Sequence, residues 1–486
     1  MELGNSQVWI AVLLTLGVAA ATVWQVRREG GRRANTSRDY FLADKGLSWF
    51  FVAGSITITN LSTEQLVGMN GNQMALLAWW ELSAVAGLLM LAFVFLPIYY
   101  RYDCTTVTEL LEKRYRNVHV RAAIGGLFLV GNCLIYQPIM LYTGALLMKT
   151  LFGLDAPILL IAALLGVAGA AYAILGGLRA VAITDTYSGV LLLGMGTLVV
   201  YLSLAAIGFD FSGIPPERLS LIGGPDSPIP WPTLFTGMIF IQMFYWSTNQ
   251  TITQKAMGSP SLREAQKGLL AATLVRVLII PPMVVIPGIV SYKLFGPIGD
   301  AAYGRVVAAV LPNWLTGVFA AAIASAVLAH FASIINSSAA LYVCDLHEPY
   351  VDRNPNVVRL GAAISAAFVV LAVALVPVYD GADSIINLVQ QLNGLTSMPV
   401  LSVFVVGLLF RGVDWRAAIA GFLFGIGLYA IFTFAWTPTH YIHLMPVTLF
   451  SSILVALAVN RFVLGATATP IWRRDRTRDW LAQEAG

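Results

Sequence analysis

The chain has 486 residues, 58% of them hydrophobic and 11% charged, with a mean hydropathy of +0.76 and a formal net charge of +4. Ordinary water-soluble domains do not have this composition, so the chain is read as an integral membrane protein. The small basic excess implies no nucleic-acid partner, because membrane topology accounts for it.

Apolar runs of about 20 residues, the length that crosses hydrocarbon as a helix, fall near 7–27, 46–73, 76–99, 120–148, 156–176, 180–207, 231–252, 268–295, 314–343, 356–378, 384–410, 414–434 and 441–463. The expectation is therefore an all-α membrane protein of about thirteen spans. The first run is long, is followed by Arg27 and Arg28, and lacks an obvious small-residue cleavage site, so it is read as a retained helix. The second run is interrupted by the polar stretch Thr59-Asn-Leu-Ser-Thr-Glu-Gln-Leu-Val-Gly. An unpaired backbone group in lipid costs several kcal/mol, so a break of this kind belongs where protein or a water-filled cavity lines it.

That broken span opens a block of five helices over 46–207, and a second block of five follows over 231–410. Between them lies the connection 208–230, rich in proline and glycine. Five is odd, so the second block is inverted relative to the first, which places a binding site near the bilayer midplane. A second interruption is expected early in the second block, where Gln242, Tyr245, Trp246 and Asn249 bring polarity without Gly or Pro. Residues 1–45 form an extra N-terminal helix and its loop, 411–463 two closing helices, and 464–486 a cytoplasmic tail.

Orientation follows from the basic residues, which stay on the cytoplasmic side. Under this span assignment 24 of the 29 fall on one side, Lys255 and Arg353 among them. Only Lys149, Arg218, Lys293 and Arg305 fall on the other, and Arg276 lies inside a span. The N-terminus is then outside and the C-terminus inside a plasma (inner) membrane, as an odd span count also requires. Cys104 and Cys344 fall in cytoplasmic segments and Cys133 in mid-membrane, which argues against a disulfide framework.

Six motifs, Asp39-Tyr-Phe-Leu-Ala, Thr59-Asn-Leu-Ser-Thr-Glu-Gln-Leu-Val-Gly-Met, Leu96-Pro-Ile-Tyr, Tyr172-Ala-Ile-Leu-Gly-Gly-Leu-Arg-Ala, Tyr245-Trp-Ser-Thr-Asn-Gln and Asn336-Ser, occur in order between about 39 and 463. Together they resemble the solute:sodium symporter family, in its sodium/glucose cotransporter-like branch. The resemblance implies a LeuT-like five-plus-five inverted repeat, with one helix before it and two after. It also implies secondary transport of a small solute by alternating access, in which a helix bundle rocks against a scaffold.

By the same resemblance Asn60, Gln65, Glu81 and Gln390 match sugar-contacting positions. A sugar needs amide and carboxylate partners and an aromatic face. Gln242, Tyr245, Trp246 and Asn249 follow i, i+3, i+4 and i+7 spacing and share one helix face. Tyr245 is the expected inner gate, and Trp80 the aromatic that closes the outer side. The bland alternative for the amides is helix-to-helix hydrogen bonding, and for the aromatics an interfacial belt. Glu81 is a functional candidate because an ionisable group at depth costs at least about 2.5 kcal/mol. Glu64 is similar, or caps the half-helix after the break. Arg276 stands where the family's sugar-binding members carry Lys. Its planar fork either accepts an acidic or sulfonated sugar or forms a permanent ion pair with Glu81.

The resemblance implies a sodium site built from the carbonyls of Ile58, Leu61 and Ala326 plus two hydroxyl side chains. Those last two positions are Ala329 and His330, so two oxygen ligands are missing. His330, which titrates near neutrality in its unperturbed form, is expected to hold a proton with Asp185 as its partner. A neutral histidine hydrogen-bonded to a nearby carbonyl is the alternative. The coupling ion is thus H+ or Na+, with H+ favoured, and no cofactor is expected.

A membrane enzyme is excluded by the lack of HExxH, Walker-type and GxSxG motifs, the Gly-Gly pairs at 176–177 and 223–224 being too weak to count. The remaining readings are a cation-coupled sugar importer, a sodium symporter with a degenerate site, an ion-independent facilitator and a solute sensor. The expected partners are a sugar or acidic sugar and the bilayer, with the protein a monomer.

Overall fold

The structure, a computed structural model, describes residues 5–28, 37–380, 384–437 and 439–471. Arg32, Arg33 and the basic residues from Arg473 to Arg478, which enter the topological expectation, lie outside the described residues, as does the tail from 472 onward. Among the described residues, ten helices are long and apolar enough to cross a membrane. The N-terminal helix Asn5–Arg28 lies at the periphery, and its Trp9, Leu13, Leu16 and Trp24 are exposed as a lipid-facing surface would be. The segments Asn313–Tyr350 and Ile385–Leu409 are the most enclosed and form the centre of the molecule.

The other three expected spans are not continuous long helices. The run 46–73 is split into Trp49–Asn60 and Thr63–Gly71. Leu61 (φ −81, ψ 74) and Ser62 (φ −98, ψ 171) separate the halves in non-helical conformation. Orphan carbonyls therefore end the first half and orphan amides begin the second. Glu64 sits in the first turn after the break, where the helix dipole favours an acid.

The run 231–252 is split in the same way, into Gly237–Ser247 and Gln250–Met257. Thr248 ends the first half, and Asn249 caps the second by accepting from Thr251 N at 2.9 Å. No Gly or Pro is needed, because an N-capping Asn satisfies an orphan amide that a continuous helix would not have freed. The run 156–176 is the start of Ile158–Ala206, which turns at Gly177 (φ +56, ψ −158). A Cβ at Gly177 would stand 2.9 Å from the Tyr40 carbonyl, so both conformation and packing require glycine.

The two splits open the first and sixth helices of the ten-helix arrangement, as an inverted repeat requires. At the basic end of the molecule, the buried Asp345 accepts from Thr106, Thr108 and Arg121 and ties three segments together. Phe410–Arg411 pairs antiparallel with Thr469–Pro470.

Candidate functional site

Between the two helix breaks lies a narrow cleft with a cavity volume of about 40 Å³. Asn60 and Gln65 reach it from the first split helix, Trp80 from the next helix, Gln242, Tyr245 and Trp246 from the second split helix, and Gln390 from Ile385–Leu409. Seven sequence-derived candidates thus line one cavity. Asn249 does not, because its side chain is the cap of the second half-helix.

Some of these polar groups hold one another in place. Gln242 donates to the Trp80 carbonyl at 2.7 Å and the Ser83 hydroxyl at 2.8 Å, and accepts from Trp246 Nε1 at 2.9 Å. Its amide is committed to orienting both aromatic residues. Tyr245 stands edge-on to Trp246 with ring centroids 5.4 Å apart. Gln65 Oε1, by contrast, is buried with no protein partner, an acceptor available to a hydroxylated ligand.

The cavity contains residues that sequence reasoning did not select: Tyr136, Asn393, Ile241, Ile386 and Val389. Tyr136 donates to Asn393 Oδ1, and Asn393 donates to Gln390 Oε1 at 3.1 Å, so the three form one polar rail. Tyr136 closes a π-helical turn, Asn132–Tyr136, a widening common at functional sites. Glu64 also lines the cleft, its Oε2 buried and unpartnered.

Glu81 and Arg276 are placed elsewhere. Both are fully buried and ion-paired through Glu81 Oε2 and Arg276 Nη2, and neither lines the cleft. Arg276 also donates to the Thr57 carbonyl at 3.4 Å and stacks its guanidinium 4.7 Å from the Trp246 ring centroid. Its fork therefore braces the first split helix against Trp246. Of the two readings of Arg276, the geometry corresponds to the ion pair.

Ile58 and Leu61 flank the first break, and Ala326, Ala329 and His330 lie buried on the enclosed helix Thr316–Ala340. Ala329 offers no side-chain oxygen, and His330 Nδ1 is buried without a partner among the described residues. The side chains at positions 329 and 330 therefore supply none of the oxygens a hard cation prefers.

The expected pairing of Asp185 with His330 is corrected by the structure, which gives Asp185 a different partner. Lys255 Nζ stands 2.6 Å from Asp185 Oδ2, with both side chains at most 1% exposed. Ser55 and Ser333 hydroxyls complete the shell of that carboxylate at 2.5 and 3.1 Å. Lys255, assigned by sequence to the cytoplasmic surface, is instead inside the protein. It lies among Ile252, Ala256 and Met257, all buried, on the short helix Gln250–Met257 that Asn249 caps.

A sequence profile described as "Sodium:solute symporter family" matches residues 40–425. The chain belongs to that family. It is 32% identical to the uncharacterized symporter YidK of Escherichia coli (strain K12), over 97% of this chain and 86% of that protein. It is 28% identical to the sodium/glucose cotransporter of Vibrio parahaemolyticus, over 85% of this chain and 81% of that one. Identity to the sodium/myo-inositol cotransporter 2 of Rattus norvegicus is 27%, over 86% and 68%. A Na+-coupled sialic acid symporter, solved in a substrate-bound outward-open state, has the same fold, with a TM-score of 0.81 at 17% identity over 95% of this chain and 99% of that one. This family member is therefore a multi-pass membrane transporter with a LeuT-like inverted repeat, and not an enzyme.

Proposed function

We propose that the protein imports an uncharged sugar or sugar derivative by alternating access, coupled to a cation, with the proton favoured over sodium. The observation that carries this reading is the cleft between the two helix breaks, where amides, two tyrosines and two tryptophans converge. Amides exchange hydrogen bonds with ring hydroxyls, and the aromatic faces cover the apolar side of a pyranose. Names among the relatives, sodium/glucose and sodium/myo-inositol cotransporters, support a polyhydroxylated solute.

An uncharged solute is favoured because Arg276 is neutralised by Glu81 outside the cleft. The lining of the cleft, among the described residues, holds no Lys, Arg or His to pair with an anion. Proton coupling is favoured because Ala329 and His330 replace the hydroxyl pair and leave too few oxygens for sodium there. The N-terminus is assigned to the outside and the C-terminus to the cytoplasm, the membrane being the plasma (inner) membrane.

Purified protein in liposomes, given sodium and proton gradients separately and a panel of neutral and anionic sugars, tests the reading. The expected result is uptake of a neutral sugar driven by acid outside. Sodium-driven uptake at constant pH would overturn the proton assignment. A preference for an anionic sugar would return Arg276 to the substrate, and counterflow that no gradient accelerates would make the protein a facilitator.

A further inference from the structure

A buried and fully coordinated charge lies outside the cleft, at Lys255. Its ammonium donates to Asp185 Oδ2 at 2.6 Å, to the Ser333 hydroxyl at 3.0 Å, to the Thr59 hydroxyl and, at 3.4 Å, to the Ser55 carbonyl. Four oxygens from three helices thus surround one unit of positive charge. A carboxylate, two hydroxyls and a carbonyl are the ligand types a hard inorganic cation selects. Here the cation is covalently part of the chain.

The position of this shell in the fold gives it a role. Thr59 precedes the first helix break by two residues, and Ser55 lies one turn earlier. Ser333 is one turn beyond His330 on Thr316–Ala340, and Asp185 belongs to Ile158–Ala206. Lys255 itself sits on Gln250–Met257, the second half of the other split helix. One ammonium therefore clamps both split helices to the two helices beside them. An ordinary structural ion pair needs one acceptor, whereas this one has every donor hydrogen directed at a buried oxygen.

We propose that Lys255 is a built-in cation that does the work of a free ion, so that this protein draws its split helices together without binding sodium. The inference rests on the reading of Ile58, Leu61, Ala326, Ala329 and His330, which adjoin this shell along the same helices, as the ion position of a cation-coupled transporter. His330, one turn before Ser333, adds no oxygen, which agrees with a site that has no inorganic ion to hold. A corollary follows: removing the ammonium while keeping Asp185, Thr59, Ser333 and the Ser55 carbonyl should leave a latent sodium cage.

Thermal unfolding of the purified full-length protein in sodium, potassium or choline chloride at equal ionic strength tests this without any sugar or transport assay. The wild type is expected to unfold at the same temperature in all three salts. Lys255→Ala is expected to gain about 3 °C or more in sodium over choline, and Lys255→Ala with Asp185→Asn to lose that gain. Lys255→Ser, which adds a hydroxyl to the vacated shell, serves if the alanine variant does not fold. Sodium-specific stabilisation of the wild type would overturn the proposal, as would lysine variants that ignore sodium. Failure of the sugar reading would show instead as absent uptake with these salt responses intact.

Discussion

Asp300 shows how a single side chain at the edge of the membrane registers pH through the fold. It lies in the short turn Gly299–Ala301 and accepts from Ile385 N at 3.0 Å, at the start of a helix that lines the cleft. A Cβ on Gly71, the last residue of the first split helix, would strike its carboxylate. Burial pushes this carboxyl from its usual 3.8 up to about 6, against the opposing effect of the Ile385 amide. An acid whose pKa is raised by folding favours the folded state while protonated. Its contribution is complete below about 4 and disappears as pH rises through about 6. Asp300→Asn keeps an acceptor and cannot ionise. Across that window the unfolding temperature of the wild type should therefore fall, relative to this variant, as pH increases. Parallel curves for the two proteins would show that Asp300 does not titrate there.

The same scale separates what sequence revealed from what it hid. Asn60, Gln65 and Gln390 were legible because amides in apolar runs stand out and match a known pattern. Lys255 was hidden because a lysine near the end of an apolar run looks the same whether it snorkels to the surface or turns inward. Its oxygen partners come from residues 70 to 200 positions away, and nothing local announces them. The Glu81–Arg276 pair was foreseeable as one alternative. Only geometry shows that it stands behind Trp246 and not in the cleft.

At the scale of elements, the first break was readable as six polar side chains within ten residues of an apolar run, while the second carries no comparable mark. Thr248 and Asn249 interrupt that helix through capping, a signal weaker than Gly or Pro. The helix Ala84–Met90 packs so closely on Gly237–Ser247 that a Cβ at Gly87 would run into the Gln242 carbonyl and stand 2.6 Å from Trp246 Cδ1. Gly87→Ala should therefore displace the two side chains that shape one wall of the cleft. Overpacking of this kind costs about 1–3 kcal/mol, and sugar affinity should fall with stability. Gly126→Ala is the matched control, since its added methyl meets no atom within 4 Å. Equal sugar affinity in the two variants would mean that the Gly87 contact does not position the site.

For the molecule as a whole, orientation rests on charge asymmetry, and the buried Lys255 removes one residue from that count without altering its direction. Arg353 and Asp226 are both exposed, the first in the connection 351–356 and the second in the loop 208–230, which the expected topology assigns to opposite sides of the membrane. The native thiols are quiet reporters: Cys104, Cys133 and Cys344 are all buried, and burial pushes the Cys104 thiol up to about 12, so it carries little thiolate at neutral pH. Cysteines introduced as Asp226→Cys and Arg353→Cys can then be read against a low background in intact cells. A membrane-impermeant maleimide should label position 226 directly and position 353 only after the membrane is opened. The reverse pattern would invert the transporter, and with it the side on which acid should drive uptake. Labelling of both positions in intact cells would mean that the chain crosses the membrane an even number of times between the connection 208–230 and the one at 351–356, in place of the three expected crossings.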